Sequence, residues 1–252
     1  MSTTSGGWIA LFSGGKDSSY ALYRALERGL DVRRLLTVHP PEGSYMYHVP
    51  ATDLAELAAE TIAIPLEEVT VRDGDLGVDE STAPGEIPDD GDSGTRGDAE
   101  VQPLEATLRR LDGEIDGGVA GVVLGAVESE FQLGRVEGVC DRLDCDLYAP
   151  LWRGDPRELA EAMLEAGFEI RIVEVAAAGL DASWLGRVLD EDAVDELEAL
   201  GEKCGVHLLG EGGEYETLVT DGPHMTQPIS ITYTTEWDGT RGRIRVTDAQ
   251  LG

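Results

Sequence analysis

The sequence predicts an α/β fold, a Rossmann-like parallel five-stranded sheet followed by a smaller α+β unit. Three observations lead there. Short apolar runs alternate with stretches of helical period from the N-terminus to about Pro150, the pattern of strands joined by crossover helices. The first run, Trp8 to Phe12, ends in Ser13-Gly14-Gly15-Lys16-Asp17-Ser18 and opens onto helix-forming Tyr20 to Arg28. Near the C-terminus the period changes: Ile229–Tyr233 and Arg243–Val246 alternate and are joined across Trp237-Asp238-Gly239, which reads as an antiparallel hairpin.

Each element follows from its own signals. The first helix places Ala21, Leu22, Ala25 and Leu26 at helical spacing and stops at Gly29. Val32–Val38 is the second strand; a helix over Asp53–Thr61 and a strand over Ile64–Val71 come next. Asp73–Glu100 breaks the pattern, with ten acidic residues and few large aliphatics, and reads as a mobile acidic surface insertion. Order is expected to resume at Pro103, in the first turn of a helix carrying Leu104, Leu108, Leu111 and Ile115. Gly121–Leu124 is a fourth strand, a loop and helix follow from Gly125, and Asp146–Tyr148 is a fifth strand. Pro150–Gly154 reads as the crossing between two units, 1–150 and 151–252. Beyond it, Asp155-Pro156-Arg157-Glu158 starts a helix that ends at Gly167, Phe168–Val175 is a strand, and a helix ends at Gly205.

The 252 residues, 41% hydrophobic, suffice for a large core. No run of about eighteen apolar residues and no signal-like N-terminus are present, so a cytoplasmic protein with no membrane partner is expected. Cys140, Cys145 and Cys204 form no metal-ligand spacing with the four histidines, so structural zinc is not expected. The net charge of −31 rests on 50 acidic residues against 19 basic ones, of which only Lys16 and Lys203 are lysines. Acidic residues spread along the whole chain suit a surface kept hydrated in high salt, and say little against a nucleic-acid substrate.

Ser13–Ser18 is a candidate phosphate loop. A glycine pair at a helix N-terminus lets backbone N–H groups gather round an anion; Lys16 adds a mobile positive charge and Ser13 and Ser18 add hydroxyls. The commoner G-x-x-x-x-G-K-[ST] loop fails at Ala10 and Asp17. Two further stretches concentrate chemistry. Gly125, Glu128, Ser129, Gln132 and Arg135 follow the fourth strand, at the sheet edge that holds the phosphate loop. Arg135 suits a phosphate, or a surface ion pair with Glu137 or Asp141. Gly210–Thr217 packs Glu211, Glu214 and Glu216 among three glycines, which suits a cation or bound substrate, or is one more acidic loop. His48 could touch a ligand or pack at a loop-to-helix junction, and Cys140 is a nucleophile or a core residue.

The loop SGGKDS resembles that of the PP-loop ATP pyrophosphatase superfamily. Together with YMYHVPATDLAELAAETIAIPL, LGAVESEFQLGRVEGVC, YAPLW and GEGGEYETLVTDGP, in this order, it resembles the diphthine-ammonia ligase (diphthamide synthase) family over nearly all the chain except Asp73–Glu100. Ala63 departs from the glycine usual before Ile-Pro-Leu. The resemblance implies ATP and Mg2+ as cofactors, with Ser13, Gly14, Gly15, Lys16, Asp17 and Ser18 on the phosphates and Asp17 on the metal. It implies Gly125, Ser129 and Arg135 near the nucleotide, and His48, Glu128, Gln132, Trp152, Glu211, Gly213, Glu214, Glu216 and Thr217 toward the substrate. Lys16, Asp17, Glu211 and Glu214 are the implied catalytic residues, and Trp152 with Glu211 and Glu214 would favour a trimethylammonium group. The implied reaction amidates diphthine on translation elongation factor 2 with ammonia, through an acyl-adenylate, with nucleic acid not expected as a partner.

Two other classes stay open at this point. A related enzyme could adenylate a tRNA base or a small carboxylic acid, although no C-x-x-C pair for thiolation and no N-terminal catalytic cysteine are present. A non-catalytic ATP-binding module of the universal-stress type would share the parallel sheet.

Overall fold

The computed structural model describes residues 6–39, 55–71 and 90–252, with 90–100 as backbone alone. His48 and most of the acidic stretch expected to be mobile lie outside the described residues. The run Gly7–Leu11 forms β1, flanked on both sides by parallel strands: β2 (Val32–His39) and β3 (Leu66–Thr70) to one side, β4 (Val119–Val123) and β5 (Asp146–Tyr148) to the other. The order β3-β2-β1-β4-β5 reverses direction between β1 and β4. In sheets of this type a crevice opens there, beyond the strand C-termini.

Side-chain alternation sends Ile9 and Ala10 of β1 to opposite faces, and each face is covered by helices. Helices α1 (Lys16–Glu27) and α2 (Ala55–Ile62) bury Leu22, Ala25, Ala58 and Ile62 against one face. Helices α3 (Asp90–Glu114) and α4 (Glu130–Leu143) bury Leu104, Leu108, Leu111, Val136 and Val139 against the other. The helix expected to start at Pro103 begins at Asp90, and Pro103 lies inside it. An interior proline costs about 3 kcal/mol. Val101, Leu104, Leu108 and Leu111 are all buried around it, at about 1.5–3 kcal/mol each, and hold the helix to the sheet. Cys140 is in this core, where its hydrogen bond with Cys145 and then burial push the thiol's pKa up, in keeping with the core reading.

The second sheet is antiparallel, in the order β7-β6-β9-β8, and is built from β6 (Glu169–Val175), β7 (Tyr215–Asp221), β8 (Ile229–Trp237) and β9 (Gly242–Leu251). Helices α5 (Pro156–Glu165) and α6 (Glu191–Cys204) and a 3-10 turn (Ala182–Trp184) pack on it. Asp155 caps α5 by accepting from the N–H groups of Arg157 and Glu158, and Gly205, at φ +75°, ends α6. Strand β7 corrects the sequence reading, which carried the loop through Thr217. Glu216 and Thr217 are strand residues, paired with Glu174 and Ile172 of β6.

One apolar core runs from β1 and α1 through β6, β7 and α6. Against it, Tyr20 and Tyr23 meet the Phe168 ring edge-on at 5.6 and 5.7 Å, and His224 stacks on Phe168 at 5.2 Å. Ala63 has φ +59°, the left-handed conformation that glycine adopts without strain. Among the described residues no helix is long and apolar enough to cross a membrane.

Candidate active site

The chain leaves β1 at Leu11, turns at Gly14 with φ +78°, and enters α1 with Gly15 as N-cap. The loop braces itself: Ser13 N–H donates to Ser18 Oγ at 3.2 Å, and Ser18 Oγ donates to the Gly15 carbonyl at 3.1 Å. The second sheet then clasps it. Lys16 N–H donates to Thr217 Oγ1 at 3.1 Å, and Val219 N–H donates to the Gly14 carbonyl at 2.9 Å. From the other side, the turn after β4 comes so close that a Cβ on Gly125 would lie 2.8 Å from Asp17 and Ser18 backbone atoms.

These elements enclose a cavity of about 330 Å³ at the reversal of strand order. That is within the range of about 300–1,000 Å³ common for small-molecule sites. Apolar strand ends supply Leu11, Leu36, Val38 and Leu124, and α4 supplies Val136. Polar wall comes from Ser13, Gly15, Lys16, Asp17 and Ser18, from Ser129 and Gln132, and from Glu211, Glu216 and Thr217. Gly125 also lines it.

Lys16 is not the mobile charge that the sequence suggests. Its side chain is 4% exposed; the ammonium donates to Asp17 Oδ2 at 2.8 Å and to the Leu209 carbonyl, and lies 5.4 Å from the Tyr215 ring centre. Burial lowers its pKa, but Asp17, Tyr215 and Glu216 more than offset this and hold it above the ordinary value. Asp17 Oδ1 is buried with no hydrogen-bond partner among the described residues.

The glutamate-rich loop divides into distinct roles. Glu211 Oε2 accepts the Glu128 N–H at 3.1 Å, and burial, then the nearby Asp17, raise its pKa. Glu216 is pushed up to about 7, first by burial and then by Asp17, Glu174 and Glu211, against the pull of Lys16. Glu214 does not line the cavity, contrary to its expected catalytic and substrate role. Its carboxylate accepts the His207 N–H at 3.0 Å and the Gly212 N–H at 2.8 Å, so it fixes the loop. Gly213 makes the turn at φ +77°.

Three other expectations change. Arg135 stacks 3.5 Å over the Phe131 ring and donates to the Phe131 carbonyl, away from the cavity wall, because helical spacing puts that ring in reach. Trp152 packs with the core under α3 and α4, and the Arg153 guanidinium already covers its ring at 5.5 Å. Glu128 faces His207 Nε2 at 3.6 Å and does not line the cavity. Ser129 caps α4, accepting the Gln132 N–H at 3.3 Å, while both residues line the cavity.

Several residues of the site went unread in the sequence. Leu36, Thr37 and Val38 line the cavity because β2 ends beside β1, a place that strand order alone assigns. Tyr215 is 2% exposed and donates to the Leu208 carbonyl at 2.5 Å. His207 Nδ1 accepts from the N–H groups of Leu209 and Glu211, which places the ring proton on Nε2, toward Glu128.

Among the described residues no cluster of three or more His, Cys, Asp or Glu forms a metal cage. Mg2+ needs only one or two carboxylates when phosphates supply the rest, and the unpartnered buried Asp17 Oδ1 beside the phosphate loop fits that demand.

Both ends of the chain match known protein domains. Residues 6–82 match the diphthamide synthase N-terminal domain and residues 155–251 the diphthamide synthase C-terminal domain. A zebrafish (Danio rerio) diphthine--ammonia ligase is 35% identical over 231 residues, 88% of this chain and 85% of that protein. The human protein of the same name is 34% identical over 231 residues, covering 88% and 81%. The Schizosaccharomyces pombe one is 34% identical over 230 residues, which are 89% of this chain and 36% of that longer protein. A solved structure of a predicted subunit of tRNA methyltransferase from Methanocaldococcus jannaschii overlaps 86% of this chain and 97% of its own, at 16% identity and a TM-score of 0.43, too distant a likeness to carry function. With both domains of the pattern in order and four-fifths or more of two vertebrate relatives covered, the chain belongs to the diphthamide synthase family.

Proposed function

We propose that this protein joins ammonia to the carboxylate of diphthine in an ATP-dependent ligase reaction, on translation elongation factor 2 in the cytoplasm. The observation that carries this reading is family membership, with the SGGKDS loop and the glutamate-rich loop of that family meeting on one cavity. The readings as a tRNA-adenylating enzyme or a bare ATP-binding module gain no support from the relatives.

A carboxylate is a poor acyl donor, so its oxygen attacks the α-phosphate of ATP and forms an acyl-adenylate with loss of pyrophosphate; ammonia then displaces AMP. Ser13–Ser18 would hold the phosphates, with Gly125 and Ser129 close to the nucleotide. The strand-end side chains Leu36 and Val38 suit the adenine ring. Mg2+ on Asp17 would neutralise charge on the departing pyrophosphate. Glu211, Glu216, Thr217 and Gln132 form the wall toward the modified side chain and ammonium. Lys16, held between Asp17 and Leu209, fixes the glutamate-rich loop over the phosphate loop and presents its charge there.

The test is release of AMP and pyrophosphate from ATP. Release that requires both ammonium and diphthine-bearing elongation factor 2, and that falls about 100-fold or more in Lys16→Ala, is the expected result. Release driven by a small acid or tRNA without the modified factor would overturn the substrate assignment.

A further inference from the structure

The phosphate loop meets the second sheet at an outer strand. Strand order puts β7 at an edge, and that edge turns toward α1, where Val219 N–H donates to the Gly14 carbonyl at 2.9 Å. Helix α1 has no side-chain cap of its own, because its N-cap is Gly15. An oxygen of the kind that serine or aspartate supplies there comes from Thr217, whose Oγ1 accepts the Lys16 N–H at 3.1 Å. The fit is close: a Cβ on Gly15 would lie 3.4 Å from the Thr217 carbonyl oxygen and 3.7 Å from Oγ1. A threonine hydroxyl also has one proton to give. Here the Lys16 N–H fixes the accepting side, and the proton meets no acceptor among the described residues, although Thr217 is buried and lines the cavity. The side chains of the loop are spent on the protein itself. Ser18 Oγ donates to the Gly15 carbonyl, and the Lys16 ammonium is held by Asp17 and the Leu209 carbonyl. The N–H on Thr217 lies at the positive end of the α1 dipole, and a hydroxyl polarised in this way is a stronger donor in turn. An anion at the phosphate loop is the acceptor that suits it.

We propose that the Thr217 hydroxyl is a phosphate ligand, which relays the Lys16 N–H to a phosphate oxygen of ATP, so that the second unit completes the phosphate loop. This rests on the reading above that the cavity takes ATP. Thr217 stands where the wall toward the modified side chain joins the phosphate loop, and its bonding gives it this second task. A bound nucleotide then ties β7 more firmly to α1, and with β7 the glutamate-rich loop that precedes it.

Thr217→Val keeps the branched shape that suits a strand and removes the hydroxyl, and Thr217→Ser restores it. In the full chain, ATP and pyrophosphate should bind about 10- to 100-fold more weakly to Thr217→Val and close to normally to Thr217→Ser. Adenosine, which has no phosphate, should bind the parent and both variants alike. Valine also strips the Lys16 N–H of its acceptor, and 31P spectra of bound ATP separate the two effects. At saturating ATP one phosphate resonance should move in Thr217→Val and return in Thr217→Ser. Unchanged ATP affinity in Thr217→Val overturns the proposal. So does weaker binding with every phosphate resonance in place, which would leave Thr217 a helix cap alone, and so does a loss shared by adenosine, which would mean a loosened joint. A readout on the unaltered protein covers a variant that misfolds: the Thr217 methyl resonance should shift on addition of pyrophosphate and stay on addition of adenosine. No shift with pyrophosphate bound overturns the proposal. If the unaltered protein binds neither ATP nor pyrophosphate, the ATP reading itself falls, and the role of Thr217 with it.

Discussion

Glu214 shows how a residue that reads as chemistry can be architecture. Its two oxygens each accept a backbone N–H, from His207 and Gly212, and so close the loop that carries Glu211 into the cavity. Glutamine offers one acceptor oxygen where two are used, and turns an NH2 group toward an N–H donor. Losing one such bond and leaving a donor unpaired costs about 1–3 kcal/mol. Glu214→Gln should therefore raise the KM for the modified factor more than it lowers kcat, and speed amide exchange of Gly212 and Gly213. An unchanged KM with a large loss of kcat would return Glu214 to the reaction itself. Nothing in the spacing of GEGGEYET separates Glu211, Glu214 and Glu216; only the fold of the loop assigns one to its own backbone and two to the cavity.

Among the elements, the legible ones are those whose signals are local. Val32 to Val38 reads as a strand because its apolar run is bounded on both sides, and Asp155 and Gly205 mark helix ends by capping chemistry. The elements that escaped are fixed by distant partners. The start of α3 at Asp90 was hidden by acid, glycine and Pro103, and the start of β7 at Tyr215 by the glycines before it and by burial of neighbouring residues Leu218, Val219 and Thr220. The same holds for the junction of the turn after β4 with α1. Gly125 reads in the sequence as a nucleotide residue, yet it also stands where a Cβ would press on the backbone of Asp17 and Ser18 at 2.8 Å. Backbone cannot yield as a side-chain tip can, so Gly125→Ala should push the phosphate loop out of place and destabilise the protein by about 1–3 kcal/mol. AMP formation should fall far more than that loss of folding would produce at a temperature where the variant is still folded. Full activity would show that the turn can back away from α1.

The whole molecule combines a surface of net charge −31 with one core that joins the two sheets. His224 sits where they join, stacked on Phe168, and neither ring nitrogen has a hydrogen-bond partner among the described residues. Burial pushes its pKa down to about 4 from an ordinary 6.5. Between those values the unfolded chain takes up a proton that the folded one refuses, so stability is full above 6.5 and is lost as pH falls toward 4. Acid also neutralises surface carboxylates and relieves their repulsion, which acts the opposite way and blurs the raw profile. The difference between two proteins that share that surface isolates the ring. His224→Phe removes the titrating group and the two unpaired nitrogens while keeping an aromatic against Phe168. It should be more stable than the parent at pH 7, and the gap in denaturant-measured stability should widen by on the order of 3 kcal/mol by pH 4. A gap that stays constant across this range would mean that the ring is protonated as readily in the folded protein as in water, and that the joint between the two sheets is open to solvent at His224.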